Sequence, residues 1–314
     1  MEIIENIRGL RKRWRQPVVA IGVFDGVHRG HQKLIGQAVR RAKKLRTASM
    51  VLTFSPHPVQ VLRPEVQFST LVSLPYRLKL IERLGVDACI VIRFTRGFSQ
   101  LSPEKFIKHY LIDKIKAREI FVGYDFLFGR NRSGDLETLQ RIGQQANLKL
   151  NVMPAVKSRH KAISSTLIRN LIAEGKIYQA SRLLGRRVSI LGKVCKGDAR
   201  GKTLGFPTAN LTPQCEVIPP GGVYAAEVVI GAKRFIGMAN IGRRPSFKDS
   251  SAPLNIEVHI FDFRKNIYQK EIIVEFIKKI RDEKIFNSKE ALIEQLRKDE
   301  GTVKKLFFLH RPQH

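Results

Sequence analysis

The sequence predicts a chain of two fold classes: an α/β domain built on a parallel sheet, followed by a small antiparallel β-barrel with a terminal helix. Three observations carry that prediction. In the first half, short and almost wholly apolar runs alternate with amphipathic helical stretches, the pattern of a sheet covered on both faces and joined by right-handed crossovers. At Gly185-Arg186-Arg187 the texture changes, and strand patterns follow in which apolar and polar side chains alternate, so one face is to be buried and the other wet. The 314 residues are long for one core, which favours two domains, 1–184 and 185–314.

The expected strands of the first half are Val18–Ile21, Met50–Phe54, Ala88–Ile92, Ile120–Val122 and Leu148–Val152, each too short for a helix and bounded by turn residues. Helical periodicity spans His31–Leu45, Leu74–Leu84, Pro103–Tyr110 and Leu136–Ala146, and two more helices are expected at Ser165–Ala173 and Ile177–Leu184. The barrel strands are expected at Val188–Val194, Val223–Ile230, Arg234–Ile241, Asn255–Phe261 and Glu271–Ile280, with the closing helix at Ser288–Arg297.

Composition narrows the function classes. With 43% hydrophobic and 27% charged residues the chain reads as globular, and no apolar run approaches a membrane span. Residues Met1 to Arg15 lack the continuous apolar stretch of a secretory signal, so a cytoplasmic location is expected. Cys89, Cys195 and Cys215 are odd in number and widely spaced, which supports neither a disulfide framework nor a zinc ribbon. The net charge of +30 keeps nucleic acid in view as a partner. Its basic residues are spread along the chain, however, with only short clusters at Arg11-Lys12-Arg13, Arg40-Arg41-Ala42-Lys43-Lys44 and Arg186-Arg187; an anionic substrate such as ATP would benefit from the same field, and a basic solvated surface accounts for most of these side chains.

The first expected strand runs into a glycine-spaced turn that holds Gly22, Phe24, Asp25, Gly26, His28, Gly30 and His31. Glycines there allow a tight turn and a close approach to a ligand, and the helix that follows offers unpaired N–H groups to an anion. His28 and His31 are three apart, so on a starting helix both can donate to one phosphate chain. A solvated surface turn fits the same residues. A His-x-x-His metal pair does so only with a third ligand, which this segment lacks apart from Asp25.

Four more segments of the first half bear on a site. Phe54-Ser55-Pro56-His57-Pro58 leaves the second strand with an aromatic ring, a hydroxyl and a histidine, and also reads as a Pro-stiffened loop. Gly123-Tyr124-Asp125-Phe126-Leu127-Phe128-Gly129 could stack a flat heterocycle, although a core contact explains either phenylalanine alone. Asn131 follows in a loop rich in amide and hydroxyl donors. Ser164, Ser165 and Thr166 open a helix with Arg169 one turn on, which an ordinary N-cap also explains. In the second half, Gly197, Gly201 and Gly205 space a loop whose N–H groups could hold phosphates. Thr208 and Asn210, two apart on an extended segment, could give oxygen atoms to Mg²⁺, and a plain hairpin loop fits these residues too.

Taken in order, Gly22–His31, Phe54–Pro58, Gly123–Gly129 and Ile163–Arg169 resemble the FAD synthetase module of bacterial bifunctional riboflavin kinase/FMN adenylyltransferases. Residues Gly197–Asn210, Gly221–Tyr224, Asn240–Pro245, Glu257–His259 and Ile280–Phe286 resemble that family's riboflavin kinase signature, and the resemblance runs from about Pro17 to Asp299. It implies a Rossmann-like nucleotidyltransferase domain ahead of the barrel. It also implies phosphorylation of riboflavin to FMN by the second domain, and adenylylation of FMN to FAD and pyrophosphate by the first, with ATP and Mg²⁺ in both.

On that resemblance Glu257 is the kinase's proton acceptor, and Thr208 and Asn210 serve the metal. Gly22, Phe24, Asp25, Gly26, His28, His31, Ser164, Ser165, Thr166 and Arg169 bind ATP in the first domain, where His28, His31 and Arg169 are the catalytic candidates. Gly197, Gly201 and Gly205 bind ATP in the second domain. Flavin falls to Phe54, Asp125, Phe126, Phe128, Asn131 and Arg281. A monomer or weak homo-oligomer is expected, without a membrane or nucleic-acid partner.

Overall fold

A computed structural model describes residues 1–5, 7, 10, 14–159, 161–196, 201, 204–212, 216–243 and 254–309. Of the residues singled out above, Arg11-Lys12-Arg13, Gly197, Cys215, Arg244 and Pro245 lie outside that set. The chain divides into two compact units: Met1–Thr70 with Leu74–Ser165, and Leu71–Ser73 with Thr166–His314.

In the first unit six strands form one parallel sheet: β1 (Glu2–Ile4), β2 (Val18–Ile21), β3 (Ser49–Ser55), β4 (Ala88–Arg93), β5 (Glu119–Gly123) and β6 (Lys149–Met153). Their order is β1-β4-β3-β2-β5-β6. All four residues of β2 are buried, as a run of β-branched and small apolar side chains covered on both faces must be. Strand order reverses between β2 and β5, and in an open α/β sheet the ligand crevice opens there, beyond the carboxyl ends of the strands.

Helix α1 (Arg29–Lys44) buries Leu34, Ile35, Ala38, Val39 and Ala42, one apolar stripe at helical spacing, against this sheet. Arg41 on its last turn donates through Nε at 3.0 Å and Nη2 at 2.6 Å to the buried Glu119 carboxylate at the start of β5. Helices α2 (Pro58–Leu62), α3 (Leu74–Glu82), α4 (Arg96–Ser99), α5 (Pro103–Lys105) and α6 (Leu136–Gln145) complete the layers.

Besides the short helices α2 and α4, which were not expected, two features depart from expectation here. Strand β1 was not foreseen, because three residues carry no readable period and only pairing with β4 extends them. The stretch expected as a helix at Pro103–Tyr110 is α5 running into a π-helix, Phe106–Lys114. The wider turn puts Phe106, Ile107 and Leu111 on the core, and the Ile115 N–H reaches back to the Tyr110 carbonyl. A short ribbon of β7 (Lys157–Ser158) and β8 (Lys161–Ala162) leads into α7 (Ser165–Ala173).

The second unit begins upstream of the texture change. Helix α8 (Ile177–Leu184) buries Ile177, Ala180, Leu183 and Leu184 and packs on two barrel strands, β9 (Val188–Cys195) and β14 (Glu271–Arg281), so it sits with the barrel. Between these strands run β10 (Thr208–Thr212), β11 (Gly222–Ile230), β12 (Lys233–Arg243) and β13 (Leu254–Ile260). The six close an antiparallel barrel in the order β10-β13-β12-β11-β14-β9.

The terminal helix runs Lys289–Leu309, well past the expected stop at Arg297. Tertiary contacts carry it through Gly301: Asp299 is buried in an ion pair with Arg281, and Val303 is fully buried in a cluster with Phe206, Val223, Ala225, Met238 and Phe261. Cys89 is buried in β4 and Cys195 half-buried in β9, both as free thiols.

Candidate functional site

The turn after β2 occupies the crevice of the first unit. Asp25, Gly26 and Val27 form a single 3-10 turn; Gly26 takes φ +77°, a left-handed conformation that favours glycine. His28 then caps α1, its Nδ1 accepting from the His31 N–H at 3.4 Å. The two imidazoles stack, centroids 3.6 Å apart, so the expected shared face is formed. His31 keeps a buried Nδ1 with no hydrogen-bond partner among the described residues. Burial, then the neighbouring His28 and Arg77, hold its imidazole well below the usual range, so it is neutral at physiological pH.

Phe24 was expected to touch nucleotide, but it is 1% exposed. Its ring folds back under Gly22 and meets His31 edge-on at 5.2 Å, so it supports the turn from below. Ser165, the first residue of α7, donates from Oγ to the Asp25 carbonyl at 2.9 Å, which joins the hydroxyl-rich segment to this turn. Ser164 and Thr166 are exposed; Arg169, half-buried, follows one turn along the helix.

The expected flavin residues Phe54, Phe126 and Phe128 meet in one chain of ring contacts. Phe54 touches Phe98 at 5.9 Å, Phe98 touches Phe106 at 6.3 Å, Phe106 touches Phe128 at 5.5 Å and Phe128 stacks on Phe126 at 5.3 Å. Phe54 and Phe128 are core side chains, each 9% exposed, while Phe126 and Phe98 are only half-buried. Phe98 and Tyr110, which sequence reasoning passed over, line a cleft of about 560 Å³ beside β4. Asp125 is exposed, with its carboxylate turned back over Gly123, and Asn131 is exposed at φ +53°.

Arg77 was also missed. It stands on α3 among the buried Tyr76, Leu78, Leu80 and Ile81, and its guanidinium donates to the Val23 and Phe54 carbonyls, both at 2.8 Å. A lone charge on an otherwise apolar helix face was the available signal.

The second unit holds a separate constellation. In the β10–β13 ladder Asn210 lies directly opposite Glu257, and Thr208 opposite His259, which places all four on one face. The Asn255 amide bridges the first two, donating to Asn210 Oδ1 at 3.1 Å and to Glu257 Oε1 at 2.9 Å. Asn255 was not foreseen, though its position two residues before Glu257 on a strand puts it on the same face.

Gly201 is brought against this site. A Cβ there would stand 2.4 Å from the Phe206 carbonyl oxygen and 3.3 Å from Thr208 Oγ1. Gly205 takes φ +81°, and His259 anchors the loop through a 2.8 Å contact between its Nδ1 and the Pro207 carbonyl. Arg281, expected to bind flavin, instead gives its Nε and Nη2 to Asp299 on the terminal helix, at 2.9 and 2.8 Å. That bidentate pair occupies the guanidinium's fork.

Thr208, Asn210 and Glu257 present hard oxygen donors, the kind that Mg²⁺ takes, so the residues fit that ion. Among the described residues no three His, Cys, Asp or Glu side chains cluster in a way that could hold a metal, and no helix is long and apolar enough to cross a membrane.

Comparisons with known proteins match both halves. The FAD synthetase family model matches residues 10–167, and the riboflavin kinase family model matches residues 184–307. A Buchnera aphidicola (subsp. Schizaphis graminum) protein named bifunctional riboflavin kinase/FMN adenylyltransferase is 40% identical over 311 residues, covering 98% of this chain and 100% of that one. The Escherichia coli K12 protein of the same name is 35% identical over 314 residues, covering 99% and 100%. A crystal structure from Streptococcus pneumoniae, described as a macrolide-efflux protein, superposes with a TM-score of 0.84 at 31% identity, covering 96% of this chain and 98% of the other.

Proposed function

Because the chain belongs to the bifunctional riboflavin kinase/FMN adenylyltransferase family, and so phosphorylates riboflavin to FMN and adenylylates FMN to FAD, we propose how its residues divide that work. The first compact unit carries the adenylyl transfer and the second, which takes in α8 ahead of the expected boundary at residue 185, the kinase. What supports this division most is that the His28/His31 pair and the Asn210/Glu257 pair are each built wholly within one compact unit.

In the kinase half the ribityl 5′-hydroxyl oxygen attacks the γ-phosphorus of ATP, and the bond to ADP breaks. Glu257 accepts the hydroxyl proton, with its carboxylate oriented by Asn255. Thr208 and Asn210 would hold Mg²⁺, which when bound offsets the negative charge of the phosphates. Gly197, Gly201 and Gly205 let the backbone approach those phosphates.

In the adenylyltransferase half the FMN phosphate attacks the α-phosphorus of ATP, and pyrophosphate leaves. The nucleophile is already anionic, so no protein base is needed and the task is electrostatic positioning. His28 and His31 sit over the N-terminus of α1, where N–H groups favour anions, and Ser164 and Ser165 supply further donors. The half-buried Phe126 and the exposed Asp125 and Asn131 serve the flavin, and the ring chain that includes Phe54 and Phe128 backs them.

The enzyme works in the cytoplasm as a monomer or weak homo-oligomer, without a membrane or nucleic-acid partner, and most of its +30 charge is a basic surface in contact with solvent. Incubating riboflavin, ATP and Mg²⁺ with His28→Ala/His31→Ala and separating the flavins tests the division: FAD should be lost and FMN retained. Loss of both products, or of neither, would refute separate sites.

A further inference from the structure

We propose that Arg77 is a positioning residue for FAD formation, its guanidinium locking the phosphate-binding turn after β2 to the carboxyl end of β3 so that the two substrates meet in line. The proposal rests on the assignment of the first unit to adenylyl transfer.

Arg77 is 5% exposed, on a helix face otherwise given to Tyr76, Leu78, Leu80 and Ile81. Desolvating a guanidinium is costly, and a methionine or leucine would pack there without that cost. What the arginine adds is its fork. Nη1 reaches the Val23 carbonyl and Nη2 the Phe54 carbonyl, both at 2.8 Å, so one rigid planar group spans the exits of two neighbouring strands.

Satisfying a stray carbonyl accounts for the bond to Phe54 but not for the bond to Val23. The Val23 carbonyl already accepts from Thr53 Oγ1 at 2.9 Å, so the arginine supplies its second bond. Arg77 Nε is left buried without a hydrogen-bond partner among the described residues, a poor arrangement for a group whose only task is structural.

The place of the clamp matters. Val23 precedes the turn that carries His28 and His31, and Phe54 is the next-to-last residue of β3, from which the chain runs on to His57. In-line transfer needs the reacting atoms within about 3–3.5 Å and aligned, so a small slip between these segments would cost rate while leaving each substrate able to bind. The charge of Arg77 acts in the same place: it is offset by the buried Asp25 and helps to keep His31 neutral.

The test is single-turnover FAD formation, with the full-length chain in excess over FMN and with saturating ATP and Mg²⁺. Its rate constant reports the bound complex and is insensitive to an inactive fraction. Arg77→Met should lower that constant by about tenfold or more. Arg77→Lys, which keeps the charge but offers one ammonium for two carbonyls, should fall between Arg77→Met and the wild type. Riboflavin phosphorylation should be unchanged in both.

A wild-type rate constant in Arg77→Met, with only the amplitude reduced, would overturn the proposal and leave Arg77 a fold residue. If Arg77→Met does not fold, Arg77→Lys decides: a slowed constant supports positioning and a wild-type constant refutes it. His28→Ala/His31→Ala is the control for the site itself. Wild-type FAD formation there removes the site assignment and the proposal with it, whereas loss there with full activity in Arg77→Met removes only the proposal.

Discussion

Replacing Glu257 by glutamine removes the kinase's proton acceptor while disturbing little else. The side chain keeps its volume, and the amide oxygen can still accept from Asn255 Nδ2, which now reaches Glu257 Oε1 at 2.9 Å. The pairing of residues 210 and 257 across the ladder is a backbone matter and should survive. General-base contributions run from about 10²- to 10⁴-fold. Phosphoryl transfer passes through a loose transition state in which the proton moves late, which places Glu257→Gln near the low end, about 10²-fold in FMN formation. At about 1.4 kcal/mol per decade that is a barrier higher by about 3 kcal/mol.

The assay follows riboflavin, FMN and FAD chromatographically, with riboflavin or FMN supplied in turn. FAD formation from supplied FMN should equal the wild type and serves as the internal standard. FMN formation within about threefold of the wild type would exclude Glu257 as the base, since general-base removal costs far more.

Two further outcomes follow from the geometry. Gly201→Ala would drive a Cβ to within 2.4 Å of the Phe206 carbonyl oxygen, so the glycine loop must shift; the KM for ATP in riboflavin phosphorylation should rise by about tenfold or more, an unchanged KM counting against the loop's role. His31 is held below the ordinary imidazole range, so below about pH 6.5 the unfolded chain binds more protons than the folded one, and stability falls as the pH drops. Thermal unfolding of the wild type between pH 7 and 5 should therefore lose midpoint more steeply than that of His31→Gln, and parallel curves would contradict a buried neutral imidazole.

Sequence alone determined the central strands of the sheet, five of the six barrel strands, the longer helices and where the texture changes, because side-chain direction repeats every two residues on a strand and every 3.6 on a helix, whereas β1, β10 and the short helices went unread. The short apolar run of β2, the stripe on α1 and the Thr208-x-Asn210 spacing are therefore legible without a fold. The shared side of His28 and His31 follows from the same local rules, although α1 starts at Arg29 behind a His28 cap rather than at the expected His31.

Tertiary structure alone decided what lies opposite what. Strand order put the exits of β2 and β5 side by side, and ladder register set Asn210 against Glu257 with Asn255 between them. Packing turned Phe24, Phe54 and Phe128 inward, gave Arg281 to Asp299, carried the last helix past Gly301 and buried Arg77 beneath the crevice. Each of these depends on groups tens of residues apart in the chain. Local periodicity says which way a side chain points from its own element, whereas register, burial and the pairing of buried charges are set by the element that packs against it.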